Sequence, residues 1–80
     1  MQIQLIKGRF NSKDAINIIT QMVHVKIKFH EGKITVDSNE EDIKVHEKRI
    51  KELQASLFEI RKELEAKGKQ ANLHASIEIE

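Results

Sequence analysis

The chain has 80 residues, with 14 Lys and Arg against 13 Asp and Glu for a net charge of +1, and no cysteine, proline, tryptophan or tyrosine. That length fits one domain, residues 1–80, with a modest core that gains from a staple such as self-association. The composition excludes disulfides and thiolate zinc sites, and the balanced charge argues against a general electrostatic nucleic-acid binder.

In chain order, Gln2 to Ile6 reads as a first strand, with Ile3 and Leu5 on one side and Gln2 and Gln4 on the other. Gly8 punctuates a loop that leads through Arg9 and Asn11 to Ser12. Ser12 is the expected N-cap of a first helix, with Asp14 in its first turn and apolar spacing from Ala15 to about Met22. A basic side chain before a helix N-terminus offers an anion site, so Arg9, Asn11 and Ser12 form a candidate small-anion or ligand loop.

Val23, Val25, Ile27 and Phe29 then alternate with His24, Lys26, Lys28 and His30. Period-two alternation predicts a second strand with one buried face. Glu31-Gly32 fits a hairpin turn, with Gly32 at positive φ, and Ile34 and Val36 fit a third strand. His24, Lys26, Lys28 and His30 would line the wet face of the second strand, with Lys33 nearby. They are the candidate phosphate or nucleic-acid contacts, although the aromatic platform of an RNA-stacking sheet is missing.

Ser38-Asn39-Glu40-Glu41 reads as a capping box opening a long helix that ends at Gly68. Within it Ile43, His46, Ile50, Leu53, Leu57, Ile60 and Leu64 recur at spacings of three and four. That is a heptad-like seam with one polar member, His46. Asp42 lies one turn before His46, as a hydrogen-bonded pair or a weak metal pair. Leu73 to Ile79 alternates as a last strand.

The expected fold class is therefore α+β: a four-stranded antiparallel sheet with two helices in β-α-β-β-α-β order. This order resembles the ferredoxin-like split unit at the level of fold alone. The long second helix is the odd part. About thirty helical residues span roughly 45 Å, against about 23 Å for a seven-residue strand. Phe58 and Val45 lie off the seam, so the apolar surface is wider than one contact needs.

Those features predict a non-catalytic, cytoplasmic interaction module and homo-oligomer, a dimer being favoured, with Leu57, Phe58, Ile60 and Leu64 in or near the contact. An RNA- or DNA-binding module and a small-ligand regulatory domain are the alternatives. No cofactor, metal site, catalytic constellation or membrane span is expected: no GxSxG, HExxH or glycine-rich phosphate loop occurs.

Overall fold

A computed structural model describes all 80 residues as β1 (Gln2–Asn11), α1 (Ser12–Lys33), α2 (Glu40–Ala66) and β2 (Gln70–Glu78). The two ends of the chain form a two-stranded antiparallel ribbon, and the middle forms a helical hairpin. The α+β class holds. The four-stranded sheet and the β-α-β-β-α-β order do not: the order is β-α-α-β.

The difference lies between Val23 and Val36. The expected second strand lies in the second half of α1, and Ile34 and Val36 fall in the interhelix loop. Gly32 is helical and makes no positive-φ turn. The reason is a second periodicity that overlies the alternation. Ile16, Ile19, Val23, Ile27, His30 and Ile34 recur at three- and four-residue intervals, and all are half-buried. This stripe continues the first helix and faces the stripe of α2. Once α1 is nucleated, each further residue adds a hydrogen bond at little cost, whereas a new strand must be started and paired. The alternating apolar residues then split. Val23 and Ile27 turn inward, while Val25 and Phe29 turn outward and remain exposed.

Asparagines, not serines, cap both helices. The Asn11 side chain accepts the Asp14 N–H at 2.8 Å, and the Asn39 side chain accepts the Asp42 N–H at 2.8 Å. Ser38 instead ties the loop: its Oγ accepts the Thr35 N–H at 3.0 Å and donates to the Lys33 carbonyl at 3.1 Å. Gly68 does follow α2 as expected, at φ 85°. It is joined to the start of α1 by a hydrogen bond from Ser12 Oγ to its carbonyl, and the Ser12 N–H donates to Lys69 O at 2.8 Å. These bonds bring the ends of both helices to the base of the ribbon.

The ribbon alternates on either side of one bulge. Ile3 pairs with Ile77, Ile6 with Ala75, Gly8 with Leu73 and Phe10 with Ala71, which puts one apolar set on one face. Lys7 with His74 and Arg9 with Asn72 share the other face. A bulge between Gln4 and Ile6 inserts Leu5.

The elements lie side by side rather than in two packed layers. The Cα envelope is 46 × 32 × 13 Å, with a radius of gyration of 15.3 Å, against about 11.6 Å for a compact chain of this length. Only Ala15 and Leu64 are fully buried. The α2 stripe from Ile43 to Leu64 packs on α1, so the helix of 27 residues is matched by a helix of 22 rather than by a strand.

Candidate functional site

The site that the fold builds is an apolar cleft of about 620 Å³ between the ribbon and the hairpin. Leu5, Ile6, Leu73 and Ile77 line it from the ribbon, Ile19, Met22 and Val25 from α1, and Leu53 and Ile60 from α2. Ser56, Lys26 and His74 are its few polar members. The positions on each helix follow from spacing: Ile19, Met22 and Lys26 lie within two turns on one side of α1, as do Leu53, Ser56 and Ile60 on α2.

The cleft is wide open, and its mouth is where apolar surface collects. Leu5 is 50% exposed, Val25 68% and Ile77 45%. The ribbon register carries the same face onward to Ile3, Met1 and Ile79, which are also exposed. Six of the ten large exposed apolar side chains therefore border one surface, rather than scattering as lone surface residues do.

The expected interface residues are spread over two sides of α2. Leu64 is buried, and Leu57 is half-buried in the same stripe. Phe58 is exposed on the side of α2 opposite Ser56 and Ile60, with the Lys62 Nζ 5.4 Å from its ring centroid. Only Ile60 reaches the cleft. Phe29 is similarly shaded by the Lys33 Nζ at 5.3 Å.

The basic strip loses its common face, because α1 turns 100° per residue where a strand would alternate. His24 and Lys28 share one side of α1; Lys26, His30 and Lys33 share another. The candidate anion loop spends its polar atoms within the chain. Asn11 Nδ2 donates to the Asp14 carboxylate at 3.0 Å, Arg9 Nη1 donates to Gln70 Oε1 at 3.5 Å, and Ser12 Oγ is held by Gly68.

One polar contact unites the two helices. His30 and His46 occupy the same layer of their respective stripes, with their Nδ1 atoms 2.9 Å apart. One ring donates and the other accepts, so at most one of the pair carries a proton there. A polar pair in an otherwise apolar seam favours a single alignment of the two helices. No third carboxylate or imidazole joins them to make a metal-binding group.

Desolvation between the helices, then His46, Lys26 and Arg49, hold the His30 pKa below its ordinary 6.5. Glu52 is the acidic side chain at that surface, beside Lys26, His30 and Arg49. The folded chain thus takes up its proton at His30 less readily than the unfolded chain. Stability is full above about pH 6.5 and falls as the pH drops below it. Thermal unfolding followed from pH 7.5 to 5 should show a falling midpoint, and His30→Leu with His46→Leu should flatten that part of the profile.

Comparison with protein-family models, curated proteins and solved structures finds no match. No helix is long and apolar enough to cross a membrane. The functional reading therefore rests on the chain's own surface.

Proposed function

We propose that the chain is a non-catalytic protein-interaction module that works as a homodimer, with the cleft and its apolar mouth covered by a second copy. The observation that carries this reading is area. The chain exposes 6562 Å², whereas a compact monomer of its 9.3 kDa mass exposes about 5,000 Å². The surplus, about 1,600 Å² per copy, equals the whole burial of a standard complex. Two copies covering their surplus would bury about 3,200 Å² together, the scale of an obligate homodimer.

The lining chemistry supports the same occupant. A small-molecule pocket encloses most of its ligand's surface, whereas this cleft opens onto the exposed Leu5, Val25 and Ile77. Here Lys26, Ser56 and His74 are set in a long apolar stripe, which suits another apolar protein face. The contact differs from one centred on the outer side of α2: it uses Ile60 but leaves Phe58 in solvent.

Paired variants separate these contacts. Val25 is 68% exposed and Phe58 62% exposed, so replacing either disturbs little packing within one copy. Light scattering on a sizing column should give a dimer for the wild type and for Phe58→Glu, and a monomer for Val25→Glu. A dimer that survives Val25→Glu and is lost in Phe58→Glu would move the contact to the outer face of α2.

A further inference from the structure

We infer that the two copies join through the free edge of β2, making one continuous four-stranded sheet in the order β1-β2-β2′-β1′. This rests on the self-association reading above and names how the second copy is seated.

A two-stranded ribbon has two free edges, each with a row of unpaired backbone groups. The ends of the ribbon fix which residues supply them. Met1 and Ile79 exchange both hydrogen bonds, with Met1 N to Ile79 O at 2.9 Å and Ile79 N to Met1 O at 2.7 Å. At the other end Ser12 N donates to Lys69 O. Antiparallel ladders alternate bonded and non-bonded pairs. The odd-numbered residues of β2 therefore bond inward to β1, and Asn72, His74, Ser76 and Glu78 direct their N–H and C=O groups outward.

The two edges differ in protection. The β1 edge carries Lys7 and Arg9 and is broken by the bulge at Leu5, the usual devices against edge pairing. Two-fold pairing of β1 would also bring those cations toward their own copies, which is unfavourable. The β2 edge has no Lys, Arg, Pro or bulge from Gln70 to Glu78. Full overlap of two β2 strands sets Gln70 opposite Glu78, Asn72 opposite Ser76, and His74 on the two-fold axis. No carboxylate faces a carboxylate.

The same operation serves the apolar surface. A two-fold axis perpendicular to the ribbon keeps both apolar faces on one side, so Leu73, Ala75 and Ile77 of the two copies adjoin. Each helical hairpin stays beside its own ribbon on the apolar side of one doubled sheet, and the apolar surface of each copy continues into that of the other.

Proline scanning at single edge positions tests this, with light scattering for mass and circular dichroism for fold. His74→Pro removes an outward N–H that the ribbon does not use. His74→Lys keeps the N–H but sets two cations on the axis, a variant that folds even if the proline does not. Lys7→Pro makes the equivalent change on the β1 edge. The expected result is a folded monomer for both His74 variants, with association weakened at least tenfold in concentration terms, and an intact dimer for Lys7→Pro. Loss of the dimer in Lys7→Pro alone, or its retention in all three, overturns β2 pairing while leaving self-association standing. A wild type that is monomeric at every concentration removes the reading on which the inference rests.

Discussion

Leu64→Ala should cause the largest loss of stability of any single truncation in α2, roughly 2–4 kcal/mol. Leu64 is the only buried large side chain of the molecule, at 5% exposure, and it lies close to the base where the helices and ribbon are tied together. Its neighbours in the stripe, Leu57 and Ile60, are half-buried, so truncating them removes less packed area. A loss of that size is a large part of what an 80-residue domain has in reserve, about 5–15 kcal/mol at most. Urea unfolding should show a lower midpoint for Leu64→Ala than for Leu57→Ala, with an unchanged slope. Equal midpoints would mean that the packing of the seam is not concentrated at Leu64.

Thermal stability should rise with protein concentration. Only two residues are buried in one copy, so in the proposed dimer a large share of the apolar burial would come from the second copy. A hundredfold increase in concentration adds about 2.7 kcal/mol to a dimer that unfolds to two chains. With the average unfolding entropy of two such chains, the midpoint should move up by about 8 °C. Scanning calorimetry at a few micromolar and at a few hundred micromolar checks this directly. A monomer unfolds at one temperature at both. Val25→Glu should lose the dependence and unfold at a lower temperature than the wild type.

The parts of the fold that were legible in the sequence are those where one periodicity stands alone. The α2 stripe from Ile43 to Leu64 has helical spacing and nothing else, and its members are the half-buried residues of that helix. The last strand alternates from Leu73 to Ile77 with no competing pattern. Residues 23–30 satisfy both periods. Their β-branched alternation masks the spacing of Val23, Ile27, His30 and Ile34, which continues Ile16 and Ile19. The signal that resolves them is the match to α2: two stripes of similar length, each with one histidine at the same layer. That match also absorbs the excess length of α2, since a helix of 22 residues lies beside it.

The cleft was hidden for a different reason. Its walls come from residues 5–6, 19–26, 53–60 and 73–77, and nothing local joins them. Ile3, Leu5, Ile77 and Ile79 look like the inner face of an ordinary strand pair. They become a surface only because the ribbon has two strands and the hairpin lies beside it instead of over it. The surplus of apolar area around the long helix was readable, and Phe58 and Val45 are indeed exposed; the further exposed apolar surface on the ribbon side was not readable. The outward position of Phe58 follows from α2 having α1 on its apolar side.

The proposed second copy would account for both the thin shape and the large exposed surface. Sedimentation equilibrium of the wild-type chain across the micromolar range addresses it most directly. The account predicts a mass of twice the 9.3 kDa chain at tens of micromolar, dissociating on dilution. A single species of 9.3 kDa up to millimolar concentration, folded by circular dichroism, would contradict it.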